Sequence, residues 1–296
     1  MYALKEEYTT ALQYLDEYIS RTDANALKAR AYLLEGFYHS WMGNLGSCST
    51  NLDKATELYR SVGSELWSRT ADWLKGWIYY DRGLLDLSKK YSNGDWCEVF
   101  SRGYPSYVGL YSGWRSSLQG LVYLREGRID SSRAKLNDVS AFLAKAPRVY
   151  EPELRFLHNV LLGELLLAQD SSEKVIALWE NAPPVPIPVL EPWPMLPYNL
   201  PFLRDVLARA YLKKGELDKA IAEYERLITI DPNRKDRRFI NPRYHYRLAK
   251  LYAQKGTKDK AIREYEKFLE LWRNADKDLP EPKDAKARLA KLRSTK

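Results

Sequence analysis

A helical hairpin that recurs along the chain is the feature that most constrains its fold. Over residues 201–234, two stretches with apolar residues on one helical face are separated by Lys214-Gly215 and end at Asp231-Pro232. Glycine accepts the left-handed conformation that ends a helix, and a residue before proline avoids helical angles. A hairpin of this size cannot bury its apolar face alone, so neighbouring hairpins must stack on it.

The hairpin pattern returns 41 residues further along the chain. Each copy has a small residue in each helix, followed three or four residues later by a tyrosine. The positions are Ala208, Tyr211, Ala220 and Tyr224 in the first copy and Ala249, Tyr252, Ala261 and Tyr265 in the second. Small residues allow two helices to cross closely, so we expect them at the helix crossings. Residues 280–293 then predict a final helix with a narrow apolar stripe, which caps the stack.

These spacings resemble those of the tetratricopeptide repeat family. The resemblance implies an all-α fold, in which helical hairpins stack as an α-solenoid and wind into a right-handed superhelix with a concave binding groove. A fainter form of the pattern runs through the N-terminal part, where glycines stand in the small-residue position: Gly36, Gly76, Gly120 and Gly163. Residues 211–232 and 244–272 are also similar to repeat regions of bacterial multidomain signalling proteins.

Three segments follow from this reading of the chain. Residues 1–182 predict degenerate hairpins of the tetratricopeptide type, and residues 201–296 predict two hairpins with standard spacing plus the capping helix. Between them lies a proline-rich strap at 183–200, because residues 183–201 contain eight prolines and proline excludes a regular helix. The opening helix, predicted at 2–20, resembles the second helix of a hairpin and suggests a longer array or a preceding domain.

Basic residues are concentrated in the C-terminal third. Residues 201–296 contain 26 Lys/Arg and 15 Asp/Glu, a net charge of +11, whereas the first 200 residues carry −3. Five cations fall on the helices expected to line the groove, at spacings that place them on shared helical faces: Arg209, Lys213, Arg243, Arg247 and Lys250. Such a basic groove favours an acidic protein or peptide, and a solvated surface is the open alternative.

Aromatic residues are dense at 91–114, where the helical pattern weakens. Five of them are candidates for binding a partner or ligand: Trp96, Tyr104, Tyr107, Tyr111 and Trp114. Tryptophan and tyrosine are favoured anchors of binding surfaces. Aromatic side chains also fill the cores between stacked helices, so packing remains the alternative.

The residues needed for catalysis or metal binding do not occur together. The three histidines, His39, His158 and His245, lie in separate predicted helices without Cys, Asp or Glu at ligand spacing. No glycine-rich phosphate loop follows a predicted strand. We therefore predict a protein that is not an enzyme and needs no metal and no cofactor.

The same composition indicates where the protein acts. Two cysteines, Cys48 and Cys97, suit a reducing compartment, and no apolar run reaches the ~18 residues that span a bilayer. We expect a cytoplasmic protein without membrane insertion. The separation of aromatic from basic residues argues against nucleic acid as the partner.

The resemblance implies a non-catalytic scaffold that binds a protein or peptide partner in its concave groove. The alternative is a ligand- or peptide-sensing regulatory region of a larger bacterial signalling or transcription protein. Neither the partner nor the oligomeric state follows from the sequence.

Overall fold

The described residues form helices, and most consecutive helices among them are joined by short connections. A computed structural model describes residues 5–180, 182, 199–229 and 240–294, and within them every regular element is a helix, which confirms the all-α prediction. The first helices are α1 (Tyr8–Arg21), α2 (Asn25–Trp41), α3 (Leu45–Ser61), α4 (Glu65–Asp81), α5 (Leu85–Ser92), α6 (Trp96–Gly103), α7 (Val108–Arg125) and α8 (Ile129–Ala144). They are followed by α9 (Glu151–Ala168), α10 (Ser172–Glu180), α11 (Pro201–Arg204), α12 (Val206–Lys213), α13 (Leu217–Ile228), α14 (Pro242–Lys255), α15 (Lys258–Leu271) and α16 (Pro280–Ser294).

The predicted proline-rich strap at 183–200 lies outside the described residues except for its last two positions. The opening helix begins at Tyr8 rather than at residue 2. The segment 91–114 is more helical than its sequence pattern indicated, because α6, a 3-10 turn at Pro105–Tyr107 and the start of α7 occupy most of it. The predicted capping helix is α16, with Ala285 and Leu289 buried.

Small residues lie where helices pack most closely, as the repeat pattern predicts. A Cβ atom added to Gly120 on α7 would lie 2.6 Å from Leu161 on α9, and one added to Gly76 on α4 would lie 2.9 Å from Leu118. Real side chains do not approach so closely in a well-packed interior. Glycine at these positions therefore sets the distance between neighbouring helices.

Left-handed glycines end several helices and fix the turn within a hairpin. Gly127 follows α7 with φ of 76°, and Gly256 follows α14 with φ of 82°. A side chain would be strained in this conformation, whereas glycine adopts it freely. The hairpins α7–α8 and α14–α15 therefore turn where the sequence predicts.

One of two compact units, Thr56–Lys214, is built on a tryptophan core. Trp73 and Trp77 project from successive turns of α4, and both are buried. The ring of Trp114 from α7 meets them edge-on, with centroids 5.5 and 5.1 Å away. Edge-to-face packing of this kind is favoured over stacked sandwiches, so the three indoles lock α4 against α7.

The other unit combines the segments Met1–Ala55 and Gly215–Lys296. The indole of Trp272, after α15, donates a hydrogen bond of 2.7 Å to the carbonyl oxygen of Trp41 at the end of α2. The backbone amide of Leu45 donates a hydrogen bond of 2.7 Å to the carboxylate of Asp276. The first helices thus share a core with the C-terminal repeats. The three predicted segments, 1–182, 183–200 and 201–296, remain a prediction about repeat organisation.

Candidate functional site

Four tyrosines form a cluster at the surface of the Thr56–Lys214 unit. Tyr104 precedes the 3-10 turn, Tyr107 ends it, Tyr111 lies one turn into α7, and Tyr150 precedes α9. The ring centroid of Tyr107 lies 5.8 Å from that of Tyr104, 5.9 Å from that of Tyr111 and 4.5 Å from that of Tyr150. We call these four residues, together with the neighbouring Val108 and Val149, the tyrosine surface.

The local sequence explains why these rings face outwards. Pro105 starts the 3-10 turn, and its fixed backbone angle directs the chain from α6 into α7. The amide of Tyr104 is satisfied by Phe100, whose carbonyl oxygen accepts its hydrogen bond at 2.8 Å. Tyr104 is 42% exposed and Val149 is 73% exposed, so interior packing does not require either side chain.

The hydroxyls of Tyr150 and Tyr111 hold their protons more tightly than an ordinary phenol, because their pKa values are raised. Burial and a hydrogen bond with Tyr107 raise the pKa of Tyr150 to about 12. Burial is also the main cause that raises the pKa of Tyr111 beyond its usual value, with the neighbouring phenols adding to the effect. A protonated phenol can donate a hydrogen bond, so the tyrosine surface offers both apolar rings and donors.

Trp96 and Trp114, which the sequence groups with these tyrosines, lie in the interior instead. They are 1% and 2% exposed, and the indole nitrogen of Trp96 donates a hydrogen bond of 2.9 Å to the carbonyl oxygen of Tyr91. Trp114 donates to the buried carboxylate of Glu153 at 2.5 Å. For these two positions, the packing alternative describes the structure, because no partner could reach either ring.

Arg209 on α12 is held by carboxylates of its own unit. Its guanidinium donates to Asp205 at 2.9 Å and makes two hydrogen bonds to Glu164 on α9. Burial alone would lower the pKa of Arg209, but the charges of Glu164 and Asp205 raise it well above its usual value. The guanidinium of Arg209 is therefore already engaged in holding α12 to α9.

Lys213 also bonds to the preceding hairpin. Its ammonium group donates to the carbonyl oxygen of Leu167 and to the carboxylate of Asp170, both at 2.7 Å. Arg125 makes the equivalent contact two helix pairs earlier, donating to the carbonyl oxygen of Tyr80 at 2.5 Å. Cations near the C-terminal end of a helix satisfy its free carbonyls and complement its dipole.

The remaining three predicted basic residues lie on α14 in the other unit. Arg243 is buried, and its backbone amide is capped by the side chain of Asn241 at 3.0 Å. Arg247 is half-buried, and Lys250 is exposed with its ammonium group 5.4 Å from the ring centroid of Tyr246. The five predicted cations are thus divided between two units and differ widely in exposure.

A buried ion-pair network that sequence reasoning missed surrounds His245 on α14. One ring nitrogen lies 2.7 Å from a carboxylate oxygen of Glu6, and the other lies 2.5 Å from a carboxylate oxygen of Glu264 on α15. Burial alone would lower the pKa of His245, but the hydrogen bonds to Glu264 and Glu6 raise it to about 9. Glu6 has a left-handed backbone with φ of 61°, which is uncommon for a residue other than glycine.

A second buried carboxyl group lies between the first helices. Glu35 on α2 is 4% exposed, and its Oε1 atom has no hydrogen-bond partner among the described residues. Burial, with Asp16 on α1 adding its charge and a hydrogen bond, raises the pKa of Glu35 to about 7. Burial lowers the pKa of His39, one turn away. In the sequence, Glu35 directly precedes Gly36, which stands in the small-residue position of its helix, and this placement indicates that the Glu35 side chain is buried.

Metal ligands do not converge in the part of the chain that the structure describes, where no group of three His, Cys, Asp or Glu side chains could hold an ion. The described helices also include none that combines the length and hydropathy needed to span a bilayer. Cys48 and Cys97 are both buried and unbridged.

Comparison with known families identifies the C-terminal repeats. A family model described as TPR repeat matches residues 208–256, and a second, described as Tetratricopeptide repeat, matches residues 242–273. Residues 208–273 are therefore similar to tetratricopeptide repeats, and the described helices form an all-α helical-repeat fold. No curated protein matches the chain at a significant level. Repeats of this class generally mediate protein–protein interaction.

Proposed function

We propose that this protein is a non-catalytic scaffold, acting in the cytoplasm, that binds a protein or peptide partner. The tetratricopeptide repeats at 208–273 support the class of function. Stacked hairpins hold their side chains rigidly before binding, which lowers the entropic cost of ordering them in a complex.

The exposed aromatic rings of the tyrosine surface carry this proposal. Tyrosine offers a large, rigid contact area with few rotatable bonds, and it is enriched among residues that dominate binding energy. Tyr104, Val108 and Val149 are each more than 40% exposed, and the ring of the half-buried Tyr107 packs against the rings of Tyr104 and Tyr150. Patches of this kind on a folded protein favour a partner-binding role.

The predicted basic residues stay part of the proposal as secondary contacts within each unit, with Arg209 and Lys213 in one unit and Arg243, Arg247 and Lys250 in the other. Lys213 and Lys250 are both exposed, but Lys213 is already bonded to Leu167 and Asp170. Arg243 is buried, so its replacement would test packing rather than binding. Charge changes for binding assays belong at Lys250.

The alternative function, a ligand- or peptide-sensing regulatory region of a larger bacterial signalling or transcription protein, has weaker support where the ligand is a small molecule. A small ligand enclosed by the aromatic segment 91–114 would favour it. In that segment the indoles of Trp96 and Trp114 fill the interior themselves. The ring centroid of Trp96 lies 5.8 Å from that of Phe100, and the ring centroid of Trp114 lies 5.5 Å from that of Trp73. A peptide laid across the outward-facing tyrosines fits this arrangement better than an enclosed small molecule.

Peptide display tests the proposed function. A library of random extended peptides would be selected on the wild-type protein, and the enriched clones would be measured against the double variant Tyr104→Ala/Tyr107→Ala. We expect at least a tenfold loss of affinity, because aromatic anchors at an interface contribute about 2 kcal/mol or more each.

The matched control is Tyr14→Ala/Tyr18→Ala, which removes two exposed tyrosines, 52% and 44% accessible, from α1. The selected peptides should bind the Tyr14→Ala/Tyr18→Ala variant with the same affinity as the wild-type protein. If the selection enriches no clone, or if every clone binds the Tyr104→Ala/Tyr107→Ala variant normally, the tyrosine surface is not a partner site.

A further inference from the structure

The carboxylates that border the tyrosine surface are already engaged. Glu151, next to Tyr150, accepts a hydrogen bond of 2.8 Å from Arg155. Glu153 accepts the indole hydrogen bond of Trp114 in the interior. On the side of Tyr104, Glu65 pairs with Arg102 at 3.3 Å. Each of these three carboxylates is therefore already paired with a donor of the protein itself.

Two cations that shortly precede Tyr150 in the sequence are not paired in this way with a carboxylate of the described residues. Lys145 follows α8, and Arg148 lies two residues before Tyr150. Both side chains are exposed, and neither forms an ion pair with the residues that the structure describes. The connection between α8 and Tyr150 therefore carries positive charge that is unpaired among the described residues, next to Val149, the most exposed apolar residue of the tyrosine surface.

Resting on the proposed function, we propose that the partner of the tyrosine surface is an acidic extended peptide. Its apolar residues lie on the rings of Tyr104, Tyr107 and Tyr111, and its flanking Asp or Glu side chains approach Lys145 and Arg148. Charge complementarity of this kind selects the partner and increases the rate of association. The phenol hydroxyls of these rings add hydrogen-bond donors for the same carboxylates.

A single-stranded nucleic acid would also combine stacking with negative charge, but it fits less well. Nucleic-acid grooves need a track of cations that follows successive phosphates. At the tyrosine surface, Arg102, Arg115 and Arg155 are each paired with a glutamate, which leaves two cations at one edge. A short run of carboxylates matches two cations, whereas a phosphate backbone needs more.

Two displayed libraries test the chemistry of the partner. Both have the same randomised apolar core of four residues; in one the flanks are Asp and Glu, and in the other they are Gln and Ser. We expect the wild-type protein to enrich the acidic library at least tenfold over the neutral one in 0.05 M salt. The preference should fall in 0.5 M salt, because ions screen exposed charges.

Charge-reversal variants locate the contact. Lys145→Glu/Arg148→Glu should lower the affinity for the selected acidic peptides about tenfold and leave the affinity for the neutral peptides unchanged. An exposed ion pair contributes modestly to binding, and the reversed charges add repulsion. Lys174→Glu, at an exposed lysine on α10, is the matched control and should leave both classes unchanged. Circular dichroism and thermal unfolding would show that all variants remain folded.

The outcomes separate this inference from the proposed function. If acidic and neutral peptides bind equally and both are lost in Tyr107→Ala, the partner is not acidic, although the tyrosine surface still binds peptides. If neither library yields a binder that depends on Tyr107, both proposals fail. Tighter binding of a thymidine oligonucleotide than of any acidic peptide, lost in Lys145→Glu/Arg148→Glu, would overturn the acidic-peptide assignment.

Discussion

Replacement of His245 by glutamine should destabilise the protein in a pH-dependent way. In the wild type, the ring of His245 is 7% exposed and bridges the carboxylates of Glu6 and Glu264. Glutamine has a similar size but cannot carry the positive charge. His245→Gln therefore leaves two partly buried carboxylates without the cation that neutralises them, which is costly in a poorly solvated site.

The pKa of His245 determines how large the loss of stability in His245→Gln should be and over which pH range it should appear. A rise from 6.5 to about 9 corresponds to about 3 kcal/mol, at about 1.4 kcal/mol per pH unit. Because the pKa is higher in the folded state, the folded protein binds the proton more tightly than the unfolded chain. This stabilisation is complete below pH 6.5 and disappears as the pH rises through about 9.

Urea unfolding at pH 6 and at pH 10 measures this difference. We expect the free energy of unfolding of the wild type to exceed that of His245→Gln by about 3 kcal/mol at pH 6 and by close to zero at pH 10. His158→Gln is the control, since the ring of His158 on α9 contacts the amide of Asn159 rather than a carboxylate. A difference between wild type and His245→Gln that does not change with pH would refute the assignment of a charged histidine.

Three further substitutions test the packing by urea unfolding. Glu35→Gln should stabilise the protein by up to about 3 kcal/mol at pH 8 and have little effect at pH 4.5, because the raised pKa of Glu35 costs stability as pH rises to about 7; a pH-independent effect would contradict this. Gly120→Ala should destabilise by about 1–3 kcal/mol by overpacking, whereas Gly109→Ala, with open space around it, should not. Arg209→Met should lower the free energy of unfolding by about 3–5 kcal/mol, because it removes the cation paired with the buried Asp205. A loss below about 1 kcal/mol would show that the network is dispensable.

Much of the fold is predictable because the repeat pattern is local. The small residues, the helix-ending glycines and the apolar faces recur within about one hairpin, so each hairpin specifies its own turn and its own crossing. The segment 91–114 was harder to predict, since Trp96 and Trp114 are large residues that weaken the small-residue pattern there. Tertiary packing of these indoles, rather than local preference, stabilises α6 and the start of α7.

The site is only partly predictable, because its contacts join distant parts of the sequence. Tyr104, Tyr107 and Tyr111 are three and four residues apart, which a sequence pattern reveals, but Tyr150 joins them from another hairpin. The pair of Arg209 and Glu164 has a subtler signal. Each residue directly follows the small residue of its repeat, so the ion pair joins equivalent positions of successive hairpins.

The unit made from Met1–Ala55 and Gly215–Lys296 has a consequence for biosynthesis. A ribosome releases Trp41 and its neighbours long before it makes Trp272, so the early helices must wait for their packing partner while the intervening hairpins fold. Non-local contacts of this kind slow folding and leave apolar surface uncovered in the meantime. Nascent chains that stop short of residue 272 should therefore recruit chaperones, and their release should coincide with synthesis of the final repeat.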